Sequence, residues 1–149
     1  MGGIDDITSL LERTERLNTA LRDGTLIRSA VVLHEREVLE ANRDNLYAGR
    51  DANNVTISPP YKPSTVRWKK SKRQPYDRVT LLDTGEFYDR FMMLYGDDEF
   101  EITSDDWKTG DLTRKYGLDI FGLNEQRIHE LSESIKDTLL KDINILYSE

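Results

Sequence analysis

Cysteine is absent from all 149 residues, which removes disulfides and thiolate zinc sites together. Histidine occurs only twice, at His34 and His129. His34 falls inside a helical stretch and reads as solvent-facing or packed, and His129 as exposed, not as ligands. No H-E-x-x-H, G-x-S-x-G or P-loop pattern is present. Asp83 and Glu101 could act as a nuclease carboxylate pair, but no E-x-K or D-x-K follows on the FEITS stretch. The expectation is therefore no enzyme, no catalytic residue, no cofactor and no metal. Long apolar runs are also missing. The longest, such as Phe91 to Tyr95, are far too short to span a bilayer. Met1-Gly2-Gly3-Ile4-Asp5-Asp6 is acidic, unlike a signal peptide, and Asp6 stands where a myristoylation acceptor needs Ser or Thr.

What is present is charge. Charged residues make up 33% of the chain against 37% apolar, a lean basis for a core, and the formal net charge is −7. The charge is segregated. Residues 62–73, KPSTVRWKKSKR, hold six basic side chains and no acidic one, so the rest holds 21 − 6 = 15 basic against 28 acidic, a balance of −13. Lys62, Arg67, Lys69, Lys70, Lys72 and Arg73, with Trp68 among them, are the candidate contacts to a protein partner or to DNA phosphates. The run from Asp97 to Asp111 carries seven carboxylates and one Lys. It lacks the spacing of a calcium loop and reads as a solvated acidic edge.

Periodicity gives the frame. Ile4, Ile7, Leu10 or Leu11, Leu17 and Leu21 lie near one stripe of a helix over 4–22, broken at Asp23-Gly24. Thr25 then caps a second helix running to about Tyr47, completing a helical hairpin. Pro59, Pro60 and Pro63 disfavour helix and central strand, so residues 48–77 read as a long, partly extended arm, with a short strand at Val55–Ile57. Arg78 to Leu82 reads as a strand. Thr84 and Gly85 form a turn, Thr84 as a helix cap and Gly85 allowing close approach to a neighbouring element. Phe87 and Phe91 are four apart and share a face. A buried strand Phe91–Tyr95, a turn at Gly96, and Phe100–Thr103 make a β-hairpin. A short helix over 109–116 ends at Gly117. Asn124 caps a last helix, Leu123 and Ile128 form a hydrophobic staple, and Ile128, Leu131, Ile135, Leu139, Ile143 and Leu146 repeat at helical spacing. The predicted fold is α+β in a single domain over 1–149. It combines an N-terminal helical hairpin, the arm, and a small antiparallel sheet packed against a C-terminal helix.

The order of these pieces resembles a known family. Leu81, Leu82, Thr84, Gly85 and Phe87, then a hairpin, then Tyr116-Gly117, then Phe121-Gly122-Leu123 and a final helix match the pattern of tailed-phage virion morphogenesis proteins, also called tail-completion or neck proteins. The resemblance covers roughly residues 75–148 and departs at Arg90 and at Leu118-Asp119-Ile120. It implies a structural virion protein at the head–tail neck or upper tail, assembled in the host cytoplasm. Its partners would be copies of itself in a ring and other neck, connector or tail proteins, with no membrane. The alternative is a DNA-contacting adaptor that uses the basic segment, with Trp68 or Tyr61 stacking on bases.

Overall fold

The computed structural model describes residues 4–97 and 99–148, the side chains of Ile4 and Asp5 excepted. Among these residues the fold is α+β, with seven α-helices and one two-stranded antiparallel sheet. The chain divides into two compact units, one holding residues 4–35 and 130–148, the other residues 36–129.

The first unit is helical. α1 runs Ile4–Arg22 and α2 runs Thr25–Leu33. The break between them is made by Gly24, whose φ of 76° is left-handed. The cap of α2 differs from the expected one. Gly24 occupies the cap position and makes no side-chain cap bond, and beside it Asp23 Oδ1 accepts from both the Thr25 N–H at 2.9 Å and the Thr25 hydroxyl at 2.5 Å. Those two bonds, hydroxyl first, hold the Asp23 carboxyl below its usual range. The expected continuous helix to Tyr47 is also corrected. It stops at Leu33 and restarts as α3, Glu35–Tyr47. At the junction the His34 N–H bonds back three residues to Val31 at 3.0 Å, a tightened turn, and the ring Nε2 lies 2.7 Å from the Thr138 hydroxyl.

The last helix, α7, runs Glu125–Ser148. Asn124 caps it as expected, its Oδ1 accepting from the Arg127 N–H at 2.9 Å. Along residues 131–146 the less exposed positions recur at helical spacing: Leu131 is buried, and Ile135, Leu139, Ile143 and Leu146 are half-buried. From Glu130 onward this stripe belongs to the unit that holds α1 and α2. Leu139 is partly covered while Leu140 is 48% exposed. Leu139→Ala is therefore expected to cost about 1–2 kcal/mol, below the range for a fully buried leucine, and Leu140→Ala less than about 0.5 kcal/mol. Urea unfolding of the two variants checks the difference, and equal costs would show that the stripe packs against nothing.

The second unit is organised around α3 and the loops it pins. Val38, Leu39, Ala41 and Leu46 are buried, and so is Asn42, at 1% exposed. Asn42 Nδ2 donates to the Ile120 carbonyl at 2.9 Å, and its Oδ1 accepts from the Gly122 N–H at 2.8 Å. One side chain thus satisfies both polarities of the 120–122 backbone. The loop after α3 joins the same point, since the Ala52 N–H donates to the Asp119 carbonyl at 2.8 Å. Gly122 has φ 126°, and a Cβ there would stand 2.9 Å from the Ala52 Cβ. Phe121 lies 5.5 Å from Phe91 and 5.9 Å from Phe87 between ring centroids, and Phe87 meets Phe91 edge-on at 5.1 Å. The Arg43 guanidinium covers Phe91 at 5.6 Å while its Nε donates to the Tyr88 carbonyl.

β1, Phe91–Tyr95, pairs antiparallel with β2, Phe100–Ser104, in the register Phe91↔Ser104 to Tyr95↔Phe100. β1 was expected to be buried throughout. It is buried on alternate residues, Phe91 and Met93 inward, Met92 and Leu94 outward, because a two-stranded sheet packs on one face. A four-residue helix α5, Glu86–Asp89, precedes it. The expected role of Gly85 is corrected. A Cβ there would meet nothing closer than 4.0 Å, and its φ of 97° is what requires glycine. Gly85, not Thr84, occupies the cap position of α5, and the Thr84 hydroxyl only approaches the Glu86 N–H at 3.4 Å. α6 runs Thr109–Tyr116 and stops at Gly117, φ 93°. A short 3-10 turn, Leu118–Ile120, buries Ile120 before the Asn42 clasp. Leu123 is half-buried and Ile128 is 50% exposed, so the expected staple shields little.

Two expectations for residues 48–82 are corrected. Val55–Ile57 forms one isolated bridge, Arg50 with Thr56, and no strand. Arg78–Leu82 belongs to no strand. Its backbone is satisfied by side chains: the Tyr61 hydroxyl accepts from the N–H groups of Thr80 and Leu81, the Thr80 hydroxyl accepts from the Leu82 N–H, and the Tyr88 hydroxyl donates to the Thr80 carbonyl. Leu81 has φ 58°, which breaks strand geometry outright. Burial pushes the Tyr88 phenol above its ordinary range.

Candidate functional site

The segment read as an extended arm contains a helix. α4 spans Pro63–Ser71. Pro63 stands in its first turn, where a missing N–H costs nothing and a fixed φ helps, so the residue taken as a breaker is the initiator. Lys62 enters in extended geometry, with φ −65° and ψ 153°. Lys69 and Lys70 occupy the last turn, the negative end of the helix dipole. Arg73, at φ 57°, turns the chain away. The Gln74 N–H closes the end on the Lys69 carbonyl at 2.9 Å, and the Gln74 amide donates to the Asp83 carbonyl at 2.7 Å.

The six cations of this segment separate into two kinds. Lys69 is 4% exposed. Its ammonium donates to the Leu82 carbonyl and to Gln74 Oε1, and it lies 4.9 Å from the centre of the Tyr61 ring. A buried cation with two acceptors and an aromatic face is a strut within the unit, and Lys69 is removed from the candidate contacts. Lys62, Arg67, Lys70, Lys72 and Arg73 are exposed, and none of them forms an ion pair among the described residues. Trp68 is 44% exposed, with the Lys72 ammonium 5.9 Å from its ring, and the exposed Tyr76 ring lies 4.6 Å from Lys70. The Tyr76 and Trp68 rings hold the Lys70 and Lys72 stems close to the surface.

The same unit carries the opposite charge at the hairpin. Asp97, Glu99 and Glu101 are exposed around its turn. The acids that follow are engaged: Asp105 pairs with Arg90 at 3.5 Å, Asp111 with Arg114 at 3.2 Å, and buried Asp106 accepts from the Lys108 N–H at 2.8 Å. Among the described residues, no group of three or more acidic or imidazole side chains converges as a metal site would require, and no helix is long and apolar enough to cross a membrane. Trp107 is 80% exposed beside Lys108.

Of the residues singled out in the sequence, Phe87 and Phe121 come together in the aromatic cluster, and Gly122 joins them through the Asn42 clasp. Thr84, Gly85, Gly117 and Leu123 lie in the turns that connect these elements. Asn42 was missed. Its signal was a polar residue on the face that carries Val38, Leu39 and Leu46. No protein-family model matches the chain, and no curated protein and no solved structure is significantly similar to it.

Proposed function

We propose that the chain is a structural subunit of a tailed-phage particle, placed at the head–tail neck or upper tail, where copies close into a ring and help complete or join the tail. The order of turn, hairpin, short helix, Phe-Gly-Leu loop and long helix supports the family reading. The observation that carries the assembly part is the segment of α4 and its two ends, where five exposed cations without ion pairs, Arg67 and Lys70 in the helix and Lys62, Lys72 and Arg73 flanking it, stand on a chain of net charge −7. Unpaired like charges gathered in one short segment are held there against their mutual repulsion, and a partner of opposite sign relieves it. The exposed carboxylates Asp97, Glu99 and Glu101 of a neighbouring copy offer that partner in a head-to-tail contact, the kind that closes a ring. The presence of Trp68 and Tyr76 beside the lysines favours a second reading, in which bases stack on the aromatics while the cations meet phosphates.

Replacing Lys62, Lys70, Lys72 and Arg73 together by Ser, with Lys69 left intact, is expected to keep the melting temperature within a few degrees and to abolish ring formation or particle completion. Undiminished assembly in that variant would defeat the proposal. Duplex DNA at low salt separates the second reading. A complex that dissociates steeply as salt is added, with the wild type only, would favour the adaptor, and no complex at any salt would exclude it.

A further inference from the structure

We propose that α1 is a self-association surface on which a second copy of this chain docks its own α1, antiparallel to the first. This inference stands apart from the α4 reading and does not depend on it. Its starting point is how little of the first unit is buried. Among its described residues, the buried apolar side chains are Ala30 and Val31 of α2 and Leu131 of α7, and none comes from α1. Yet α1 keeps several large apolar side chains exposed on one face. Ile7 is 61% exposed and Leu11 59%, and Leu10 and Leu21 are exposed beside them. These four fall within roughly a third of the helix circumference at 3.6 residues per turn. An exposed apolar face of this kind is a surface that a partner can cover.

The charges on α1 say what kind of partner. Residues 4–12 hold three carboxylates, Asp5, Asp6 and Glu12, and no cation, whereas residues 13–22 hold Arg13, Arg16 and Arg22 against Glu15 alone. Asp6, Glu12, Arg16 and Arg22 are all exposed. Two copies side by side in parallel would set acidic half against acidic half. Two copies antiparallel set each acidic half along the other's basic half, and oppose the two helix dipoles as well. The helix is therefore complementary to itself, in the isologous manner of a two-fold dimer. Thr14 lies midway between Ile7 and Leu21, and its hydroxyl is already satisfied by the Leu10 carbonyl at 2.9 Å, so it can face an apolar neighbour at low cost. Placing Thr14 on the two-fold axis brings Ile7 of one copy opposite Leu21 of the other. Exposed Asn18 interrupts the stripe and disfavours slipped registers.

The absence of cysteine makes the test clean. Positions 7 and 21 of one helix are about 21 Å apart, too far for a disulfide within the chain. The Ile7→Cys, Leu21→Cys double variant, mildly oxidised, is expected to give a covalent dimer, while each single variant stays largely uncrosslinked. Rapid dimers from the single variants would overturn the antiparallel register. No dimer from the double variant would overturn the pairing. Independently, Leu11→Glu changes an exposed residue and is expected to leave the circular dichroism melt unchanged while weakening self-association, read by light scattering, roughly tenfold or more. Wild-type protein that stays a single chain at high concentration would sink the proposal and leave the stripe to a different protein.

Discussion

Asn42→Leu is expected to cost about 2–5 kcal/mol of stability in the second unit. The substitution removes a donor to the Ile120 carbonyl and an acceptor for the Gly122 N–H in a site that is 1% exposed. Each backbone group left without a partner in such a place costs about 1–3 kcal/mol, and leucine, though similar in size, offers neither bond. Thermal and urea unfolding followed by circular dichroism measures the loss. Asn45→Leu is the control, because Asn45 is only half-buried and accepts a single long bond, 3.4 Å, from Asn124. It should cost less than about 1 kcal/mol. Similar losses for both would show that the clasp adds nothing beyond ordinary packing.

Gly122→Val should rank beside it, at about 2–5 kcal/mol. Two independent penalties combine there. A left-handed φ of 126° is strained for a β-branched residue, about 1–3 kcal/mol, and the new Cβ would press on the Ala52 Cβ at 2.9 Å, a further 1–3 kcal/mol of overpacking. Gly117→Ala isolates the first penalty, since its φ is 93° but nothing stands within 4 Å of the new methyl. It should cost about 1–2 kcal/mol. Gly122→Ala paired with Ala52→Gly removes the clash and keeps the strain, so partial rescue is expected. Full rescue or none would mean that only one of the two penalties operates.

The elements that could be read from the sequence are those whose signal is local. α1 and α7 announce themselves by apolar spacing, the hairpin by Gly96 between two apolar runs, and the end of α6 by Gly117. The misreadings have two kinds of cause, a local signal with two possible meanings and a side chain from elsewhere that decides the local outcome. Pro63 was weighed as a breaker, although in the first turn it starts a helix. Arg78–Leu82 has strand composition, but the hydroxyls of Tyr61, Thr80 and Tyr88 take up its backbone groups where a neighbouring strand would have. α2 and α3 read as one helix because no glycine or proline marks the break at His34. The candidate site divides the same way. Charge counting finds the basic cluster, but six cations look alike in sequence, and only the Leu82 carbonyl and the Tyr61 ring distinguish Lys69 from the rest. The Asn42 clasp joins residues 78 and 80 apart, beyond any local pattern.

The placement of the two tryptophans has an optical consequence. Trp68 and Trp107 both face solvent, and they are the only indoles in the chain. Excited at its red edge, the folded protein is expected to emit largely as exposed indole, led by Trp107 at 80% exposed, so fluorescence is a poor thermometer of its folding. It is a sensitive witness of docking instead. Trp68 sits among the cations of α4, and a partner that covers them dries its ring and shifts its emission to the blue, with Trp107 as the unmoved background. The chain thus carries, without any added dye, a lamp on the surface where a partner is proposed to land.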